Sequence, residues 1–399
     1  MDSLPLHLLN EILLRADLSS LAMMRSTNRS LRSLISNDPY FKSKYFSQLR
    51  SGLLHMATGG SSMLYHHSFG DPRSPRTKDN LMECRILASC SGLLLLYLNG
   101  QSLLCVANPF TKKFRFLNHI PRSRTMDSRD PYLNRGDRMY IGFAVDHIDR
   151  TTQSFKIVSM KEEHRSHNLW VYEFLINTGG SWGLPKRVTC YPSELDYRMK
   201  NPIYLNGSLH WLRKDGSIIV FKPETEEARL IQFKFPEKLS LKTLFASDDK
   251  NLVLISATED VIKVYALENS FTTDPKWVLS RRIRNGVLDK NIRNRWNVEA
   301  YDGKYLVLRD YSKDQMVHGY DMTANKWGLM GPGRFYPTLD FILFTPSSSY
   351  VIGLDQNDDD MVLHSDDDDK RFSSLSSIME LAIGGLDKFI SPEEHVSFG

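Results

Sequence analysis

Cysteine is scarce in this sequence, four in 399 residues, and none of Cys84, Cys90, Cys105 and Cys190 stands in a CxxC pair or near a closely spaced histidine. Zinc-ligand spacing is thereby absent, and buried thiols in a reducing compartment are expected over a disulfide or metal role. Long apolar runs are scarce too. The longest, LLLLYL over Leu93–Leu98, falls far short of the roughly 20 residues that span a bilayer. Asp2, Glu11 and Asp17 interrupt the N-terminal leucines, against the order of a secretory signal. A phosphate loop, a nucleophile elbow and an HExxH helix are all missing. His66, His67, His164, His167 and His210 lack the spacing that would gather them around one ion. No metal, no cofactor and no catalytic residue is therefore expected, in a non-membrane protein of the cytoplasm or nucleus.

What the sequence does have is an uneven charge. Residues 1–50 carry seven Lys and Arg against four Asp and Glu, whereas residues 355–399 carry three against twelve. The runs Asp358–Asp360 and Asp366–Asp369 read as solvated segments, since the glycine and closing glutamate of a calcium loop are absent.

The first 48 residues are patterned for helices. Leu4, Leu8, Leu9, Ile12 and Leu13 line one side of a first helix, with Pro5 suited to its opening turn. A second helix follows around Leu18, Leu21, Met23 and Met24. A third carries Leu31, Leu34 and Ile35 and is expected to end at Asn37-Asp38-Pro39. Three short helices bury too little apolar surface to stand alone, so another protein is expected to cover the surplus.

From residue 85 to 350 the pattern is that of strands. Five runs, LLCVANPFTKKF, LWVYEFLINTGGSW, IIVFKPETEEARL, IKVYALENSFTTDPKW and VHGYDMTANKW, end in a similar strand and turn. Aligned on Asn108, Tyr172, Phe221, Tyr265 and Tyr320, they recur at steps of 64, 49, 44 and 55 residues, the spacing of propeller blades. Asn99-Gly100, Asn206-Gly207 and Asp302-Gly303 sit between apolar runs as hairpin turns. The expected architecture is α+β and multidomain: a three-helix head over 1–48, a connector over 49–84, and an all-β, kelch-like propeller of about five to seven blades over 85–350. An acidic segment over 351–399 is read as partly flexible or as closing the ring.

These residues carry a resemblance. Leu4-Pro5, Leu8-Leu9, Glu11-Ile12-Leu13, Arg15, Leu18 and Leu21, then Arg25 to Ile35, then Pro39-Tyr40-Phe41, resemble the F-box. Leu31 stands where that family commonly has tryptophan. Ser89-Cys90-Ser91-Gly92-Leu93-Leu94, Asn108-Pro109-Phe110-Thr111 and Asn206 to Trp211 are similar to the F-box-associated region of plant F-box proteins. The resemblance implies a substrate-recognition adaptor that docks on a Skp-family protein and, through it, on a cullin–RING ubiquitin ligase. Leu4, Pro5, Leu8, Leu9, Ile12, Leu13 and Leu18 are the candidate adaptor contacts, while Leu21, Leu34 and Ile35 are assigned to holding the helices together. The alternative is a propeller-based enzyme or small-ligand sensor with an accessory head.

Two basic stretches, one around residues 118–138 and one containing Arg281, Arg282, Arg284, Arg293 and Arg295, are candidate loops for an acidic protein target. Aromatic side chains are hardly interleaved with them, which argues against nucleic acid. Trp182, Trp211, Trp277 and Trp327 are expected to pack between blades.

Overall fold

The structure is a computed structural model describing residues 4–16, 18–47, 49, 51–57, 62–69, 76–81, 84–98, 103–117, 138–165, 169–190, 195, 201–232, 235, 237–240, 242–248, 250–268, 275–286, 296–311, 315–333, 341–354 and 366–384. Four helices open the chain: α1 (Leu6–Arg15), α2 (Leu18–Thr27), α3 (Arg29–Asn37) and α4 (Pro39–Ser47). The sequence reading gave three. Asn37-Asp38-Pro39 does end α3, but Asp38 then caps a fourth helix, its Oδ1 accepting from the N–H groups of Tyr40 at 2.8 Å and Phe41 at 3.1 Å. Pro39 occupies the first helical position, where its missing N–H costs nothing.

Six antiparallel sheets follow. Blade I comprises Cys84–Cys90, Leu93–Leu98, Leu103–Asn108 and Lys113–Leu117; blade II Arg138–His147, Thr152–Arg165, Leu169–Asn177 and Lys186–Cys190. Blade III runs over Ile203–Leu205, Ser208–Leu212, Ile218–Lys222 and Glu227–Ile231, and blade IV over Thr243–Ser247, Leu252–Ala257, Val261–Glu268 and Lys276–Arg284. Blade V uses Trp296–Tyr301, Tyr305–Asp310, Met316–Asp321 and Lys326–Pro332. The first strand of each blade touches the first strand of the next all the way round, so the ring is closed. Asn108, Tyr172, Phe221, Tyr265 and Tyr320 all fall on the third strand of their blades, which is why they repeat.

Blade VI is assembled from both ends of the ring. Its inner strand, Phe341–Phe344, pairs antiparallel with Gly52–Ala57, and Ser62–His67 and Arg76–Leu81 complete it. Most of the stretch read as a connector over 49–84 is thus strand. The histidines of this blade lie inside it: His55, His66 and His67 are buried, His67 fully so. Past blade VI the chain adds Tyr350–Val351 as a short parallel strand beside Thr152 and Gln153 of blade II. Helix α5 (Asp366–Gly384) then packs on the outer strands of blade VI and on α2. The ring is closed by residues 341–344, and α5 covers the outside of that seam.

The seam has its own core. Leu13, Leu21, Ile35, Phe41 and Tyr45 of the head join Leu54 and Leu64 of blade VI, Leu94 and Phe110 of blade I, and Leu375, Ile378 and Met379 of α5 in one buried cluster. Phe46 meets Phe110 edge-on at 5.1 Å, and Phe372 of α5 lies 5.6 Å from Phe114. The head therefore does not depend on a foreign protein to cover all its leucines, because much of its apolar surplus is spent on its own ring. Between blades, Trp211 and Trp296 are fully buried, and Trp182, Trp277 and Trp327 pack partly buried against the same cores.

Candidate partner interface on the helical head

Helix α1 is apolar on two sides, and the core shared by the head, the ring and α5 covers one of them. Leu9 and Leu13 form a row four residues apart that turns inward; Leu13 is buried and Leu9 partly so against the seam core. Leu8 and Ile12 form the adjacent row and, with Leu4 just ahead of the helix, stay in solvent, with 41%, 49% and 42% of their surface exposed. Successive residues of a helix are turned about 100° apart, so the pairs Leu8-Leu9 and Ile12-Leu13 each divide between the two rows. Leu6, Met23 and Tyr40 of the head are exposed as well. Exposed apolar side chains along one side of α1 make this the candidate interface.

The back of the helix is firmly held. The carbonyl of Pro5 accepts from the N–H groups of Leu8 and Leu9 at 3.0 and 3.1 Å. The Tyr45 hydroxyl donates to the Ala16 carbonyl at 3.0 Å, pinning the end of α1 to α4. Asn28 caps α3 through its side chain, accepting from Ser30 at 2.8 Å and Leu31 at 3.2 Å. Leu31 is buried, filling the apolar position that the family commonly gives to tryptophan.

The seven candidate contacts thus divide. Leu4, Pro5, Leu8 and Ile12 are exposed, Leu9 and Leu13 turn toward the core, and the side chain of Leu18 lies outside the described residues. Leu21 and Ile35 are fully buried and Leu34 is half-buried against the seam core, where they were assigned.

Of the candidate target-binding arginines, three are described, and they lie on a strand, not a loop. Arg281, Arg282 and Arg284 belong to Lys276–Arg284, the outer strand of blade IV. Arg281 Nη1 donates to the Met322 carbonyl at 2.9 Å, a tie to blade V. The Arg284 carbonyl accepts from Trp327 Nε1 at 3.1 Å, also from blade V. Arg282 and Arg284 alternate outward around buried Ile283. Arg293 and Arg295, like residues 118–137 of the other basic stretch, lie outside the described residues. Among the described residues, no group of three or more His, Cys, Asp or Glu is arranged to hold a metal ion.

The family motifs that the sequence reading took as markers have a shared physical role. Asn108 accepts from the N–H groups of Phe110 and Thr111, both at 3.1 Å, and donates through Nδ2 to the Ser347 carbonyl at 3.3 Å. Gly92 sits at φ +83° directly under Ser347. The Ser91 carbonyl accepts from Gln153 Nε2 at 3.2 Å. Both motifs thus seat the segment that runs from blade VI beneath blade I to blade II. Sequence periodicity carries no sign of that segment, because the blade I and blade II residues it contacts are 198 or more positions away.

Residues 1–43 match the F-box domain, and residues 62–286 match the F-box associated beta propeller domain. An F-box protein of Arabidopsis thaliana is 50% identical over 369 residues, which cover 86% of this chain and 84% of that one. An Arabidopsis thaliana F-box/kelch-repeat protein is 48% identical over 363 residues, covering 89% and 79%. Among solved structures, apo AztD from Citrobacter koseri aligns over 75% of this chain and all of its own at 9% identity, with a TM-score of 0.36, too slight a likeness to carry an argument.

Proposed function

This chain belongs to the F-box proteins that carry an F-box-associated β-propeller domain, and on that premise we propose that it recruits a protein target to an SCF-type ubiquitin ligase in the cytoplasm or nucleus. Proteins of this family generally act as substrate adaptors of such ligases. The observation that carries the reading is the exposure of Leu4, Leu8 and Ile12 at a helix whose other side is buried in the core that the head shares with the ring. A Skp-family adaptor covers that row, and the cullin and RING subunits follow from it. The propeller holds the target, and the fixed mounting keeps that target close to the conjugating enzyme, raising its effective concentration there. The chain itself needs no catalytic group for this.

Fully burying an aliphatic side chain of this size yields roughly 1.5–3 kcal/mol, and with 41–49% of each still exposed the three supply about 2–4 kcal/mol toward the complex before the cost of association. An aspartate at Ile12 would remove one contribution and bury a charge. Co-purification of the full-length chain with a purified plant Skp-family adaptor tests this. Ile12→Asp is expected to abolish recovery while leaving the thermal melt unchanged, since Ile12 is half-exposed. Undiminished recovery with that variant would overturn the interface.

A further inference from the structure

Exposed apolar side chains are confined almost entirely to two places. Of the eleven large ones among the described residues, six belong to the head and four, Ile148, Leu184, Tyr350 and Ile352, to one end of blade II, while Leu329 of blade V stands apart. The register of blade II explains the grouping. His147 pairs with Gln153 and Asn177 lies opposite Ile157, so the turn bearing Ile148 and the turn bearing Leu184 emerge at the same end. The parallel strand Tyr350–Val351 lies beside Thr152 and Gln153 at that end too. Val351 is buried, and Tyr350 and Ile352 on either side of it face solvent.

These side chains are held in place from behind. The N–H groups of Tyr350 and Ile352 donate to the carbonyls of Thr151 at 2.7 Å and Gln153 at 2.9 Å, and the Ile148 N–H donates to the Thr152 carbonyl at 3.0 Å. Arg115 Nη1 donates to the Gly353 carbonyl at 3.0 Å. Gly92 and Asn108 seat the same segment through Ser347, so the motifs of blade I serve to present Tyr350 and Ile352 at the rim. The charge around them is uneven. Segments 111–115, 147–152, 178–186 and 347–354 carry Lys112, Lys113, Arg115, Arg150 and Lys186 against a single carboxylate, Asp149. Asp149 Oδ1 is turned back onto its own hairpin, accepting from the Thr151 N–H and hydroxyl and the Thr152 N–H at 2.7, 3.0 and 2.8 Å. Glu380 of α5 reaches Lys112 at 3.6 Å, and Glu226 of blade III reaches Lys186 at 3.0 Å. Lys113 Nζ stands 5.6 Å from the centre of the Tyr350 ring, and Arg150 is exposed with no carboxylate partner among the described residues.

We propose that Ile148, Leu184, Tyr350 and Ile352, with Arg150 beside them, form the target-docking surface of the propeller, and that its occupant is a protein segment in which apolar and acidic side chains stand together. The inference rests on the adaptor reading above and adds the chemistry of what the propeller holds. A tyrosine fixed on a bonded backbone loses little freedom on binding, and tyrosine is enriched among the anchors of protein contacts. Arg150 supplies the charge opposite to an acidic segment, which selects it over a basic one and fixes its orientation. Blade I separates this surface from the head: Phe110 meets Phe46 of α4, whereas Lys113, three residues on, reaches Tyr350. Adaptor and target thus take different sites. A lipid surface fits less well, because Asp149 next to Arg150, and Glu226 and Glu380 next to the lysines, dilute the positive potential that anionic lipid requires.

The test selects a phage-displayed random peptide library on the immobilised full-length chain and titrates the recovered peptides by fluorescence polarisation. Peptides that place aspartate or glutamate next to leucine, isoleucine or an aromatic residue are expected. Tyr350→Ser with Ile352→Ser is expected to weaken them about tenfold or more with the thermal melt unchanged, since both side chains are half-exposed. Arg150→Glu is expected to weaken them about tenfold, and Arg150→Lys to restore most of that loss. Recovery of basic peptides, recovery of none, or affinities indifferent to the paired serine substitution would overturn the surface; the adaptor reading then still stands if Ile12→Asp abolishes co-purification with a plant Skp-family adaptor. A wild-type chain that recovers no adaptor would overturn that reading and, with it, the target role of the surface. If the paired serine substitution abolishes adaptor recovery as Ile12→Asp does, the surface belongs to the adaptor. If the chain co-sediments with phosphatidylserine vesicles and that pair abolishes it, the surface belongs to lipid. Either result would overturn the proposal.

Discussion

Blade IV and blade VI have the same four-stranded plan but are held together differently. Blade IV is one unbroken stretch of chain, Thr243–Arg284, with Leu254, Ile255 and Ile262 fully buried and Ser256 and Thr243 its buried polar residues. Blade VI joins Phe341–Phe344 to Gly52–Leu81 across almost the whole sequence and buries His55, His66 and His67 at its centre. Local chain closure stabilises the first, whereas the second forms only after the ring is complete. Blade VI should therefore be the first to open, and because the head and α5 share its core, its opening should free them too.

Acid gives the largest separation between the two. His55 Nδ1 lies 3.2 Å from His67 Nε2, His67 Nδ1 lies 3.0 Å from the Met330 carbonyl, and neither ring nitrogen of His66 has a partner. Burial pushes His66 down to about 3, His67 to about 4, and His55 well below the usual histidine value. The charged residues that act on them, Arg309 on His55 and Arg76 on His66, are cations and push the same way. All three are neutral in the fold and titrate near pH 6.5 when unfolded, so the unfolded chain binds more protons as the pH falls below 6.5. Their stabilisation is complete above pH 6.5 and is lost progressively down toward their folded values. Between pH 7.5 and 5 the loss is about 2 kcal/mol per histidine and roughly 6 kcal/mol for three, against a total stability on the order of 5–15 kcal/mol. Amide protection measured at pH 7.5 and pH 5 should fall in Gly52–Ala57 and Ser62–His67 well before Leu252–Ala257. Equal losses in both blades would remove the histidines as the cause.

A core truncation in each blade gives the next largest contrast. Phe344 is fully buried in the cluster that joins blade VI to the head, and Ile255 is fully buried within the ring. Phe344→Ala is expected to cost about 3–5 kcal/mol and Ile255→Ala about 2–5 kcal/mol, so melting alone hardly distinguishes them. Limited proteolysis does. Phe344→Ala should expose the head to cleavage near α2 and α3 at temperatures where Ile255→Ala leaves it protected; identical patterns would show that the head is not anchored through the seam.

How far the sequence could be read follows the same division. Blades I to V each keep a third strand and turn in one contiguous run, so a period was visible and the positions Asn108, Tyr172, Phe221, Tyr265 and Tyr320 were found in register. Blade VI has no period to show, because its inner strand is encoded some 260 or more residues away from its neighbours. On the head, the leucine spacing revealed an amphipathic α1 but not which row faced out. Sequence periodicity specifies a face, and only the packing of α1 on α4 and into the shared core decides that Leu13 goes in and Ile12 stays out. The arginines near 281 were misplaced for a related reason: alternation with buried Ile283 marks a strand edge, and charge density had suggested a loop.

Two turn glycines sharpen the comparison at its smallest scale. Gly207, at φ +73°, follows Asn206 at φ +50°, which together make the hairpin turn expected for that dipeptide, and a Cβ on Gly207 would meet open space. Gly92 has a similar backbone, φ +83°, but a Cβ there would overlap the Cβ of Ser347, in the segment leading out of blade VI. Gly207→Ala therefore carries backbone strain alone, about 1 kcal/mol. Gly92→Ala adds to the same strain a displacement of Ser347 that also pulls on the Asn108 Nδ2 hydrogen bond, for about 2–4 kcal/mol in all. The two substitutions are chemically identical and differ only in what lies above them. Equal shifts in the melting temperature would mean that the Ser347 segment yields freely and contributes nothing to holding the ring shut.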